Sequence, residues 1–373
     1  MKLSRIFASL IAMTVLFVSC EKQNVGPEAG APKSVTVSIS NVSFTKSINE
    51  DLALQGNKVA LNNARIIFTD GSAFYPAKKA DGTDAVTYIT DFTNPALDFH
   101  LLDNRVNRVI IVGNMGESFN PANLDELRAA VLDVAKNQDP KNLPLYGTST
   151  LSAGRPSMEQ THGSTAWVAN VSLAPRISRI EIAGLACNFD LQKYSKIAIN
   201  QIALSNFYFN HSFISTAVPS NLFKIDNTAA AITNNFATNV SAGKKWYWDN
   251  PNVVLSMPVG GGLASDELKT QLAYNIFCPV ETDLTAASNG YARIDLQIVG
   301  TDALGTESPL YLSSNGFKTS GAGEPMLTSF EPGKIYRMSP LSFDESDLEH
   351  HLKCVSLNVE VIEWSVVAVT PQW

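Results

Sequence analysis

The sequence is short of the residues that catalytic and metal sites are built from. Four cysteines occur in 373 residues, and one of them, Cys20, closes an N-terminal apolar run. The other three, Cys187, Cys278 and Cys354, are odd in number and far apart. That excludes a disulfide framework, leaves room for one pair, and makes small buried hydrophobes the expected role. Cys-Cys-His zinc spacing is absent. None of the five histidines, His100, His162, His211, His350 and His351, lies in an HExxH pattern, and no serine sits in Gly-x-Ser-x-Gly. His350 and His351 stand beside Asp344, Glu345, Asp347 and Glu349. Adjacent histidines on an extended chain point to opposite faces, so a charged loop is expected there and no metal. Gly260, Gly261 and Gly262 precede Asp266 and Glu267 without the Lys-Ser/Thr ending of a phosphate loop. Acidic residues at a helix start are explained by capping. No cofactor and no catalytic constellation is expected. There is no basic run, the formal net charge is −7, and no repeat is visible. Nucleic acid is therefore excluded as a partner.

What is present begins with an address. Lys2 and Arg5 form a short positive segment, and residues 6–18 are an apolar run interrupted only by Ser9 and Thr14. The run is shorter than the about 20 residues a membrane span needs. It ends in Phe17-Val18-Ser19-Cys20, which resembles a bacterial lipobox, with Phe17 where leucine is usual. In that reading residues 1–19 are a lipoprotein signal peptide, Cys20 is the acylated first mature residue, and the protein is exported to the outer membrane surface. Losing Lys2 and Arg5 takes the charge to −9, with 26 basic against 35 acidic residues. Residues 20–33, with two prolines and two glycines, read as a flexible tether.

The rest reads as mainly β with one helix, in two β-sandwich domains, residues 34–174 and 175–373. Val35, Val37 and Ile39 alternate with polar residues, and Val42 and Phe44 resume after a shift at Asn41 that reads as a bulge. Asp70-Gly71 signals a hairpin. Asn123 with Glu126 forms a capping box for a helix carrying Leu124, Leu127, Val131 and Val134 as a stripe. Pro175 breaks the chain between the halves. The last strand is the longest apolar feature: Val355, Leu357, Val359 and Val361 alternate, and Trp364, Val366, Val367 and Val369 follow before Pro371. Such a strand either pairs within its own sheet or is offered to a neighbour.

The aromatic groups Phe207-Tyr208-Phe209 and Trp246-Tyr247-Trp248 support a competing reading, a surface glycan-binding lipoprotein. Phe207 and Phe209 share a strand face and read as core.

The lipobox at Cys20, a strand over residues 35–45, ARIIFTDGSAFY, FHLLDNRVNRVIIVGNM, NLDELRAAVLDV before LPLYGTS, VSLAPRISRIEIAGL and the closing VEVIEWSVVAVTP together resemble the fimbrillin family, the FimA-type and Mfa-type pilins of Bacteroidales. The resemblance covers nearly all of the chain beyond residue 33. It implies two transthyretin-like sandwiches in a non-enzymatic structural subunit of a surface fimbria. Its partners would be other pilus subunits and a trypsin-like processing protease. Carried onto these residues, the strand displaced after cleavage is Val35, Val37, Ile39, Val42 and Phe44. The donor strand is Val355, Leu357, Val359, Val361, Trp364, Val366, Val367 and Val369. Burial of five or six of those side chains would supply about 10 kcal/mol before ordering costs. The processing position falls at Lys46, because no arginine lies between Cys20 and Arg65. Either a lysine-accepting protease acts there and the protein is a stalk subunit, or the strand is never removed and the protein is a pilus anchor; a tip position is the further alternative.

Overall fold

Residues 30–45, 57–94, 96–133, 137, 139, 141–154, 164–208, 210–214, 222–223, 248–251, 253–258, 272–276, 291–319, 324–338, 340–348 and 355–369 are described by the computed structural model. The β-branched alternations become strands, and the buried apolar residues separate into two clusters.

The first cluster lies between two sheets. One has the order Ser152–Ala153, Thr165–Val171, Lys33–Ile39, Ala96–Leu102. The other has the order Ala174–Pro175, Leu145–Thr150, Arg108–Gly113, Ala64–Thr69, Phe74–Tyr75, with Tyr88–Ile89 also on Ala64–Thr69. Because side chains alternate faces, Ile66 and Phe68 pair across the ladder with Ile111 and Val109 on the inward side. There Phe68 meets Phe99 of the facing sheet edge-to-face, with ring centres 5.0 Å apart. The predicted hairpin is present, with Phe68 opposite Tyr75. Asp70 accepts from the Ala73 and Ser72 amides and from the Tyr75 hydroxyl, and Gly71 takes φ +99°. Glycine is also required at Gly147, where a Cβ would lie 2.3 Å from the Ser172 carbonyl oxygen.

The N-cap forms, the Asn123 side chain accepting from the Glu126 amide at 2.9 Å, while the returning Glu126 carboxylate accepts from the Ala122 amide at 2.8 Å, one residue before the cap. The helix itself is shorter than its apolar stripe suggests, spanning Leu124–Ala129. Leu124 and Leu127 are buried, but Val131 belongs to the strand Val131–Asp133, which pairs with Asn210–Ser212 from the second half. Val134 lies outside the described residues. A long-range partner thus overrides the local helical period at the β-branched Val131.

The second cluster is lined by a large sheet. Its order is Trp248–Asp249, Tyr194–Ser205, Arg293–Asp302, Glu307–Thr319, Val355–Glu363, Lys334–Met338, Ser178–Ile182, Leu272–Ile276, with Val253–Ser256 also on Tyr194–Ser205. The mainly-β, β-sandwich class expected from the sequence is the class observed.

Candidate functional site

Both end strands are broken in the middle, and each half lies in a different sheet. The leading strand Lys33–Ile39 runs between Thr165–Val171, parallel, and Ala96–Leu102, antiparallel. It is therefore interior to its sheet. Val35 and Val37 are buried and Ile39 is half-buried. Polar contacts pin it as well. The Ser34 hydroxyl lies 2.6 Å from that of Ser164 and 3.2 Å from His100 Nδ1, and Thr36 donates to Asp98 at 2.5 Å.

Asn41 is not a bulge within one strand but the crossing between two sheets. Its side-chain amide donates to the Leu173 carbonyl at 2.6 Å and accepts from the Leu173 amide at 2.8 Å. The side chain thereby does what a ladder partner would do, and the main chain is free to leave. Beyond it, Val42–Thr45 pairs in parallel with the outer tail strand Ser365–Val369, Val42 opposite Val366 and Thr45 opposite Val369. On its other side the outer tail strand pairs in parallel with Lys58–Leu61, Val366 opposite Val59 and Ala368 opposite Leu61.

The inner tail strand Val355–Glu363 is equally enclosed. Leu357 stands opposite Phe317 in Glu307–Thr319, and Val361 opposite Tyr336 in Lys334–Met338. Val359 is buried and Val361 is exposed. Among the described residues, then, the tail pairs on both sides within its own chain.

Trp364 is the joint between the two tail strands. It is buried, and its ring lies under the Arg179 guanidinium at 4.3 Å. Arg179 and Glu181 are fully buried on Ser178–Ile182 and form an ion pair at 2.8 Å, while Arg337 donates to the other Glu181 oxygen at 2.7 Å. Burial pulls the Arg179 guanidinium down to about 10, against the opposing field of Glu181. It stays charged at neutral pH, so Trp364 caps a desolvated cation. The indole N–H has no hydrogen-bond partner among the described residues.

Several sequence-derived candidates are placed elsewhere. Cys20, Lys46, Cys278, Cys354, His162, His350, His351, Gly260, Trp246 and Phe209 lie outside the described residues. Cys187 is buried, and burial pushes its thiol up. Phe207 is core, edge-to-face with Phe330 at 5.8 Å. The acidic run is structural: Glu345 accepts from the Tyr194 amide at 2.5 Å and the Leu191 amide at 3.0 Å, and Asp347 accepts from Asp344 N at 2.9 Å. Among the described residues no cluster of three or more His, Cys, Asp or Glu side chains is arranged to hold a metal. The sequence reading of Asn41 found the shift but not the crossing between sheets, and Arg179 and the strand Lys58–Leu61 carried no expectation. The one available signal was the charge pair Arg179 and Glu181, two apart on an apolar strand.

No family model matches this sequence, and no curated protein matches it. Among solved structures the fold resembles that of fimbrilin (FimA) from Porphyromonas gingivalis, with TM-score 0.52 at 12% identity over 90% of this chain and 99% of that one. A candidate cell adhesion protein from Bacteroides eggerthii gives TM-score 0.52 at 15% identity, covering 92% of this chain and 100% of that chain. Another, from Parabacteroides distasonis, gives 0.51 at 12% identity, covering 92% and 99%. At these identities the likeness is one of fold, and it is the fold the fimbrillin resemblance implied.

Proposed function

We propose that this chain is a structural, non-enzymatic subunit of a surface pilus, exported as a lipoprotein through Cys20 and polymerised by strand exchange. Its two sandwiches are residues 34–174 and 175–373. The observation that carries the reading is the seat of the outer tail strand between Val42–Thr45 and Lys58–Leu61. Lys46 falls in the segment that joins those two neighbours. One cut after it would release Lys33–Ile39 and Val42–Thr45 together. The first loss would open a slot between Thr165–Val171 and Ala96–Leu102. The second would strip one neighbour from the tail strand that is to be donated. The Trp364 N–H, without a hydrogen-bond partner among the described residues, supports a seat that is held but not fully satisfied. A strand passed on in this way makes a head-to-tail contact that does not close, and so a filament.

The test is limited trypsin treatment of the mature chain, read by N-terminal sequencing, gel sizing and electron microscopy. The control should end before Ser365 rather than before Val355, because Val355–Glu363 is interior to the large sheet and its loss would unfold it. Filaments with a new N-terminus at Ser47, absent from the truncated chain, are expected. A monomer uncut at Lys46 would remove the stalk reading. The tail paired on both sides and the lack of arginine between Cys20 and Arg65 would then favour an anchor, or a glycan-binding lipoprotein with its tail locked in place.

A further inference from the structure

A cavity of about 220 Å³ opens on the outward face of the six-stranded sheet, beside the helix Leu124–Ala129. It is lined by Arg108, Arg128 and Arg176 with Tyr146, and floored by Ile110, Leu124 and Ile214. Among the described residues no carboxylate lines it, in a chain whose net charge is −7. The three arginines come from a strand, a helix and the link between the two halves, and all three act electrostatically on the Tyr146 phenol.

Arg176 is half-buried and stacks on the Tyr146 ring at 5.5 Å. Its Nε donates to the Phe213 carbonyl at 2.6 Å, and its terminal nitrogens have no hydrogen bond among the described residues. Burial lowers its pKa, and among the described residues only the Tyr146 phenol opposes that shift. Arg108 is exposed and has no acidic partner among the described residues; Arg128 reaches only the solvent-facing Asp125, at 3.1 Å. Three guanidinium groups held around one cavity, with the rim pair Arg128–Asp125 their one ion pair among the described residues, repel one another, and a bound carboxylate accepting paired N–H bonds relieves it. A cavity of about 150 Å³ accommodates a benzene ring. The 220 Å³ here leaves room for one six-membered ring and an anionic substituent, with Ile110, Leu124 and Ile214 against its C–H face.

From this geometry we infer that the cavity binds a carboxylate-bearing sugar residue of a surface glycan, its carboxylate held by Arg108, Arg128 and Arg176. Arg108 and Arg128 at the rim capture the charge, and Arg176 fixes its orientation.

The experiment is titration of the uncut mature chain with glucuronate, glucose, inorganic sulfate and a short glutamate-rich peptide, followed by calorimetry. Because the chain is left uncut, the result is independent of strand exchange after cleavage. Saturable glucuronate binding, with glucose undetected and sulfate weaker, is expected. R108Q and R128Q, both at exposed positions, should each weaken glucuronate by about tenfold or more, with unchanged melting. Equal binding of glucose and glucuronate would overturn the proposal, as would sulfate binding as tightly as glucuronate. So would peptide binding without glucuronate binding, or no glucuronate binding at all.

Discussion

The Trp364 indole lies 4.3 Å beneath the Arg179 guanidinium, at the point where the tail passes from one sheet to another. One contact therefore joins the buried charge network of the second half to the strand seated in the first. W364A removes a buried aromatic and uncovers the cation, and should destabilise by about 3–5 kcal/mol. Amide exchange at residues 365–369 should rise well before global unfolding. W364F keeps a ring over Arg179 and removes the N–H that has no partner among the described residues, so a loss below about 1.5 kcal/mol is expected in the same measurements.

Glu181 is ion-paired with Arg179 and also accepts from Arg337. E181Q leaves Arg179 buried without its counter-charge and should cost about 3–5 kcal/mol in chemical denaturation. The double variant R179M/E181L removes both charges and should recover much of that loss. A double variant as unstable as E181Q would show that packing, not charge pairing, holds this strand.

Asn41 makes both of its bonds to the Leu173 backbone. N41A strands a buried amide and carbonyl, with an expected cost of about 1–3 kcal/mol in thermal unfolding. N41D keeps only the acceptor and should fall between wild type and N41A. Equal melting for all three would mean that solvent replaces the side chain at the crossing.

The hairpin carboxylates give a pH signature. Backbone and side-chain hydrogen bonds from Ala73, Tyr75 and Ser72 hold Asp70 well below the usual range. Hydrogen bonds from Arg105 bring Asp103 from 3.8 to about 2. Both groups have depressed folded values, so their stabilising effect is complete above the unfolded value of 3.8 and is lost as pH falls toward 2. Melting temperature should therefore drop between pH 4 and pH 2. D70N should flatten that drop; an unchanged slope would place the acid sensitivity elsewhere.

Features written in short-range pattern were legible in the sequence. The alternation of Val35, Val37 and Ile39, the Asp70-Gly71 turn, the Asn123 N-cap, and the long apolar tail each follow from period or turn chemistry. They sufficed for the fold class and for naming the two end strands. Where those strands go was decided by tertiary structure. Val42 and Val366 are 324 residues apart and adjacent in the sheet, and no local pattern states that pairing. The same holds for Arg179 under Trp364, for Val131 drawn from helix to strand by Ser212, and for Arg108, Arg128 and Arg176 around one cavity. Periodicity specifies which face of a strand is apolar. Which other strand covers that face depends on packing and register across the whole molecule, and those are settled only when the chain has folded.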